Sequence, residues 1–151
     1  MAFCCSVFPY VYLSTDYFFV LIICCFASGQ SEVVSWLIDQ GADIDAHITG
    51  GSSPLISASR RGHLNIIQQL LSAGCDATIQ HSVSKWTALH MAAMRKDMDT
   101  TVLLLEYDST SCSIKDKKGR TPLELAKSKS DNEDVIGILK EYCDSNNNKD
   151  L

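Results

Sequence analysis

The sequence lacks the short motifs that mark most enzymes and metal sites. It has only four histidines, His47, His63, His81 and His90, and none belongs to an H-E-x-x-H pair. It also has no G-x-S-x-G nucleophile turn and no glycine-rich phosphate loop. We therefore expect a protein without catalytic residues, a cofactor or a bound metal ion.

No two cysteines have the C-x-x-C spacing, although the chain contains seven cysteines. Four form two adjacent doublets in an apolar N-terminal stretch, and the others are Cys75, Cys112 and Cys143. No His/Cys spacing resembles a zinc site, and disulfide frameworks belong to short secreted chains. We expect reduced thiols that fill small core positions, and a cytoplasmic location.

An excess of positive charge is also absent. The net charge is −5, from 18 acidic and 13 basic residues, which argues against nucleic acid as the main partner. Eleven of the 13 basic residues nevertheless lie between Arg60 and Lys129, whereas the acidic residues extend from Asp16 to Asp150. The distribution predicts a locally basic stripe on an acidic protein.

What the sequence does contain is an internal repeat with a step of 34 residues. Ser53-Pro54-Leu55 returns as Thr87-Ala88-Leu89 and again as Thr121-Pro122-Leu123. Repetition at this period predicts a stack of small units, each of which buries its apolar face only against its neighbours. Such a stack presents a long surface and seldom encloses a pocket, so the repeat favours a binding function.

Each unit has the pattern of two helices followed by a loop. In the best copy, Ser53 can cap the first helix and Pro54 suits the first helical position. Gly62 favours a break between the helices and Gly74 the end of the second, because glycine tolerates a left-handed backbone. In the next unit Lys96 takes the place of Gly62. The pattern predicts an all-α protein.

These features resemble the ankyrin repeat family. The segments that carry the resemblance are residues 41–46, 61–63, 87–93 and 119–126. The resemblance implies an ankyrin solenoid of helix–turn–helix units with short loop or β-hairpin fingers.

Individual positions match the family pattern or depart from it. Lys85 stands where the family prefers glycine, and the family's histidine after leucine survives only as His90. The resemblance implies that His63 and His90 make hydrogen bonds between units.

The predicted organisation has three parts. Residues 1–28 form an apolar N-terminal segment, residues 29–142 hold about 3.5 repeats, and residues 143–151 form a polar tail. The repeats cover 29–46, 47–80, 81–115 and 116–142.

The apolar run at residues 17–27 has three interpretations. Residues 20–27 fall in the slot of the first unit's first helix, which favours a divergent capping helix. A signal peptide or membrane segment is the second interpretation, although no Lys or Arg precedes the run and 11 residues are too few to span a bilayer. The third is an alternative exon or truncated gene product that replaces an ordinary first helix.

The resemblance also implies where a partner binds, because ankyrin repeats usually meet partners with their loop tips and the inward face of their first helices. Carried over position by position, this selects Thr49, Ser52, Arg60, Arg61, Val83, Trp86, Met94, Arg95, Lys117, Lys118, Arg120 and Lys129. None is acidic, and Trp86 is the favoured anchor because Trp and Arg dominate interface hot spots. The alternatives to partner binding are that the basic residues are ordinary solvated charges and that Trp86 packs against Lys85 or a neighbouring loop.

The sequence thus predicts a non-catalytic protein–protein interaction module, an adaptor or scaffold. Its concave face and loop tips are expected to bind another protein, with an acidic surface or peptide favoured. A membrane-associated adaptor anchored by residues 1–27 is the first alternative. Binding of nucleic acid through the basic stripe is the least favoured.

Overall fold

All the regular secondary structure in the described part of the chain is helical. The computed structural model describes residues 29–47, 50–129 and 132–147, with side chains up to residue 143. These residues form α1 (Ser31–Asp39), α2 (Pro54–Arg61), α3 (Leu64–Ser72), α4 (Ala88–Arg95), α5 (Met98–Tyr107), α6 (Pro122–Lys127) and α7 (Glu133–Asn147). A 3-10 helix (Ser109–Ser113) follows α5, and no β-strand occurs in these ranges.

The helices stack in two rows. The inner row contains α2, α4 and α6, and the outer row contains α1, α3, α5 and α7. Each inner helix packs against the outer helix that follows it, and α4 packs against both α2 and α6. The predicted all-α repeat is therefore confirmed. The expectation that residues 20–27 supply the first unit's inner helix lies outside the described residues.

The repeated Ser and Thr residues cap the inner helices. Ser53, Thr87 and Thr121 have extended backbones, and each side-chain oxygen accepts a hydrogen bond from the amide three residues ahead, at 3.3, 3.4 and 3.3 Å. In the last unit the Glu124 carboxylate also accepts from the Thr121 amide at 2.8 Å. Because free amides at a helix start need acceptors, these side chains fix where each inner helix begins.

The inner helices α2 and α4 end in the same left-handed turn, although only one of them has a glycine there. Gly62 has a φ of 76° and Lys96 a φ of 61°, and the amide after each bonds back into the last helical turn. A left-handed backbone costs a non-glycine residue about 1–2 kcal/mol. The packing of the units therefore imposes this turn even where the sequence does not favour it.

The outer helices α5 and α7 both end without a glycine. Asp108, where the other units have a glycine, is extended with a φ of −147°, and its carboxylate accepts from the Thr110 amide to start the 3-10 helix. Helix α7 continues to Asn147, past the predicted end of the repeats at residue 142. No glycine or proline occurs in residues 143–147 to stop it.

One continuous apolar core lies between the two rows. Its small members, Ala58, Ala92, Ala93 and Ala126, are fully buried on the inner helices and let neighbouring helices approach closely. Leucine and isoleucine fill the remaining space, and each buried one contributes about 1.5–3 kcal/mol. The core is thus built from contacts between adjacent units.

The described cysteines are free thiols within or beside this core. Cys75 is buried, and burial together with the nearby Asp45 and Asp76 carboxylates raises its pKa to about 12. A hydrogen bond with Cys143, together with burial, raises the pKa of Cys112. The Cys75 and Cys112 thiols therefore stay protonated at neutral pH, and Cys75 fills a small core position, as predicted from the sequence.

Candidate partner-binding surface

Loops at residues 81–86 and 116–120 join each outer helix to the next inner helix; we call them finger 3 and finger 4. Finger 3 is closed by two backbone hydrogen bonds, from the His81 amide to the Trp86 carbonyl at 2.8 Å and from the Lys85 amide to the His81 carbonyl at 2.9 Å. Nδ1 of His81 accepts from the amides of Val83 and Ser84, both at 3.3 Å. His81 is thus a structural residue of the loop.

Finger 4 is organised by the carboxylate of Asp116. Its Oδ1 accepts from the amides of Lys118 and Arg120, at 2.8 and 2.9 Å. The Asp116 amide donates to the Arg120 carbonyl at 2.8 Å, and the Gly119 amide donates to the Asp116 carbonyl at 2.9 Å. An aspartate that bonds the amides of its own turn fixes the loop conformation.

The same carboxylate joins the two fingers. Oδ2 of Asp116 accepts from Nε and Nη2 of Arg120, at 3.0 and 2.7 Å, and from the indole Nε1 of Trp86 at 3.2 Å. The Asp116 side chain is 1% exposed, and that of Arg120 is 31% exposed. Burial alone would raise the pKa of Asp116, but the hydrogen bonds from Arg120, Lys118 and Trp86 outweigh it and hold the pKa below its usual range.

Further hydrogen bonds hold neighbouring fingers in register. The Lys117 amide donates to the Ser84 carbonyl at 3.0 Å, and the Ser82 amide donates to the Gly51 carbonyl at 2.9 Å. Nε2 of Gln80 bridges the carbonyls of Lys85 and Lys115, at 2.8 and 2.9 Å. The fingers therefore form one connected row of loops.

His90 makes the hydrogen bond between units that the resemblance implied. Its Nδ1 accepts from the Thr87 amide at 3.2 Å, and its Nε2 donates to the Arg120 carbonyl of the next unit at 3.1 Å. The ring is fully buried, and burial lowers its pKa. His90 is therefore structural. For His63 the implied bond stays a prediction.

The structure places the predicted partner-binding residues in different environments. The exposed ones are Arg60, Arg61, Val83, Arg95, Lys117, Lys118 and Lys129, and the half-buried ones are Trp86, Met94 and Arg120. Ser52 is buried and hydrogen-bonded to the Ser57 hydroxyl at 2.9 Å, so it offers no surface to a partner. Thr49 lies outside the described residues.

Two of the cations that we predicted to bind a partner already bond to other groups of the chain. Nη1 of Arg95 donates to the Arg60 carbonyl at 3.1 Å, at the carboxyl end of α2, where a positive charge is favourable. Arg120 forms an ion pair with Asp116. Arg60, Arg61 and the finger 4 lysines have no ion pair within the described ranges.

The predicted basic stripe is divided into two groups. Arg60, Arg61, Arg95 and Lys129 lie where inner helices end, and we call them the turn-end cations. Lys117, Lys118 and Arg120 lie in finger 4, where an inner helix begins. An eight-residue helix is roughly 12 Å long, which separates the two ends.

Two features of this candidate surface were not predicted from the sequence. Lys85 and Lys115 belong to the same basic surface as finger 4, because Gln80 holds their backbones together. Asp116 organises the surface, and its spacing three residues before Gly119 is a turn signal that could have indicated this role. Its bond to Trp86, 30 residues away, has no such local signal.

Comparison with known proteins agrees with the architecture. A sequence profile for ankyrin repeats (three copies) matches residues 13–81 and 55–150. The Drosophila melanogaster ankyrin repeat and KH domain-containing protein mask is 35% identical over 104 residues, 68% of this chain and 2% of that protein.

Two further relatives match over shorter or comparable lengths. The Mus musculus B-cell lymphoma 3 protein homolog is 37% identical over 114 residues, 75% of this chain and 24% of that protein. The Arabidopsis thaliana E3 ubiquitin-protein ligase XBAT33 is 37% identical over 68 residues, 45% of this chain and 13% of that protein. The chain thus spans less than a quarter of the length of each of these relatives. With its 34-residue step, its two rows of helices and this profile match, the chain belongs to the ankyrin repeat family.

Proposed function

We propose that this chain is an adaptor that binds an acidic protein on the concave face formed by its inner row and on its finger tips. The ankyrin array is a protein–protein interaction module, and the proposal concerns the surface and the charge of the partner. The observation that carries it is the group of exposed cations near the amino ends and near the carboxyl ends of the inner helices, on a chain whose net charge is −5. Charge of this kind steers association with an opposite surface.

We propose further that the chain has no catalytic activity. The ring nitrogens of His90 and the carboxylate oxygens of Asp116 are occupied by structural hydrogen bonds. Within the described ranges, no group of three or more His, Cys, Asp or Glu residues could hold a metal ion. His90 and Asp116 therefore support the structure of the array and are not available as acids, bases or ligands.

The proposal is tested by capture of a partner on the immobilised chain. A variant with Arg60→Glu, Arg61→Glu, Lys117→Glu and Lys118→Glu should lose a partner that the natural chain retains, and the residual binding should depend less on salt. Arg120 is left unchanged, because a glutamate there would face Asp116 and disrupt finger 4.

A control variant changes charge on the outer row. Asn65→Glu, Gln68→Glu and Lys140→Glu alter exposed residues of α3 and α7 and should leave capture unchanged. A partner that binds the inner-row variant and the natural chain equally well would contradict the proposal.

The membrane-associated alternative concerns residues 1–27, which lie outside the described residues. In the described ranges no helix is both long enough and apolar enough to cross a bilayer. The ankyrin profile begins at residue 13 and so includes the apolar run, which supports its assignment to the repeats. We propose a cytoplasmic location. The full chain and a chain that starts at residue 28 should then divide equally between soluble and membrane fractions.

A further inference from the structure

We infer that fingers 3 and 4 together bind a short partner segment in which acidic residues flank one large apolar or aromatic side chain. The inference rests on the proposed interaction function. It assigns that function to the fingers, which lie where the inner helices begin. It also requires an apolar or aromatic side chain in the partner, in addition to negative charge.

Finger 3 supplies the apolar part of this surface. Val83 is 64% exposed, although burial of a valine is favourable. Trp86 is half-buried in the same loop, and its single N–H donor is already engaged by Asp116. The indole therefore offers a partner its ring surface alone, which suits an apolar or aromatic side chain.

Cations surround this apolar part. Lys85 of finger 3 and Lys117 and Lys118 of finger 4 are exposed and have no ion pair within the described residues. Asp116 is the only acidic residue in residues 80–86 and 115–120. Because its carboxylate is buried and hydrogen-bonded, it does not compete with the carboxylates of a partner.

The two fingers are fixed in position before any partner binds. The Lys117 amide bonds to the Ser84 carbonyl, Gln80 bridges Lys85 and Lys115, and Asp116 holds Trp86. A surface that is already ordered loses less conformational freedom on binding, which strengthens its affinity for a short segment.

The turn-end cations lack this arrangement. Asp99, Glu133 and Asp134 are exposed at the starts of the adjacent outer helices, so three carboxylates lie at the same end as these cations. Beside finger 4 the exposed carboxylate is Glu124, and it already accepts from the Thr121 amide at 2.8 Å. Arg95 is already bonded to the α2 carboxyl end. An acidic segment is therefore attracted less strongly there than to the fingers.

The test uses the full chain with Trp36→Phe, which leaves Trp86 as its one tryptophan. The probe is a Glu-Glu-Phe-Glu-Glu peptide, and its binding is followed by Trp86 fluorescence. We expect a saturable change in emission. Gln-Gln-Phe-Gln-Gln and Glu-Glu-Ala-Glu-Glu should each bind about tenfold more weakly, because one lacks the charges and the other the apolar side chain.

Two double variants with the same change in net charge locate the site. Lys117→Glu with Lys118→Glu should weaken binding of the Phe-containing acidic peptide by about tenfold or more. Arg60→Glu with Arg61→Glu should change it by less than about twofold, since those residues lie beyond the screening length of about 10 Å at 0.1 M salt. All four side chains are exposed, so both variants should fold.

Three results would overturn the inference: no saturable emission change, equal binding of the alanine peptide, or an equal loss in the two double variants. If the peptide test fails but the variant with four glutamates, described under the proposed function, still loses its captured partner, only this inference is wrong. Peptide binding as expected, with no captured protein that depends on the inner row, would remove the adaptor function alone.

Discussion

His90 shows how one side chain can determine both the start of a helix and the contact with the next unit. Its Nδ1 accepts from the Thr87 amide while its Nε2 donates to the Arg120 carbonyl. Only the neutral ring protonated on Nε2 satisfies both bonds. The buried histidine therefore has to stay uncharged for the two units to remain joined.

This requirement predicts a loss of stability in mild acid. Burial lowers the pKa of His90 from its ordinary value of 6.5, so the unfolded chain binds the proton more readily than the folded chain. The stabilisation is complete above that value and is lost as the pH falls through the lowered pKa. Urea unfolding between about pH 7 and pH 5 should show the decline. A His90→Gln variant should show a flatter dependence, and an identical slope would contradict the assignment.

Lys85 also adopts a backbone conformation that its side chain disfavours. Its φ is 58°, and glycine avoids the steric cost. Lys85→Gly should therefore raise the free energy of unfolding by about 0.5–1 kcal/mol, after allowance for the greater freedom of glycine in the unfolded chain. Lys117→Gly is the control, since Lys117 has no left-handed backbone and should gain nothing. Urea denaturation of both variants measures the difference.

Among the elements, finger 4 depends most on a single carboxylate. Asp116 accepts from two amides of its own loop, from Arg120 and from the Trp86 indole. Loops between helices usually tolerate substitution, but this one contains a buried charge whose partners come from two units. The shape of the finger is thus maintained by electrostatics as well as by the turn.

Asp116→Asn keeps the size of the side chain and removes its charge. The free energy of unfolding should fall by about 2 kcal/mol, because asparagine removes the negative charge and puts an NH2 donor where one carboxylate oxygen accepts hydrogen bonds, while Arg120 remains partly solvated. In a chain that also carries Trp36→Phe, Trp86 emission should shift to longer wavelength as the indole is released. Lys118→Gln, in the same loop but exposed, should leave both properties unchanged. A stable variant with unaltered emission would contradict this role of Asp116.

Local chemistry predicted the elements better than the surface. Ser53, Thr87 and Thr121 mark the starts of the inner helices because capping depends on residues only three positions apart. The bonds from Trp86 and Arg95 to neighbouring units span 30 and 35 residues, and they exist only once the units stack. The sequence therefore indicated which residues are basic. It did not indicate which of them bond to other groups of the chain, or at which end of the inner helices each one lies.

The molecule as a whole is a linear array, so its parts are coupled mainly through immediate neighbours. Helix α1 packs on α3, α3 on α5, and α5 on α7. Stability in such an array is approximately a sum over units and their interfaces. A defect at one end should therefore remain local.

A matched pair of core substitutions tests this. Leu37→Ala in α1 and Leu139→Ala in α7 each remove a buried side chain and should each cost about 2–4 kcal/mol. Hydrogen exchange should rise in α1 and α3 for the first variant and in α5 and α7 for the second. Exchange that rises evenly along the chain in both variants would indicate a single cooperative unit instead.

The carbonyl of Arg120 accepts from His90 of the preceding unit and from the Asp116 amide of its own finger. This single oxygen ties a solvent-facing loop to a fully buried ring. Finger 4 therefore cannot move outward without breaking the bond to His90, and that would weaken the start of α4. A protein that pulls on the fingertip would therefore load the interface between two units through the Arg120 carbonyl.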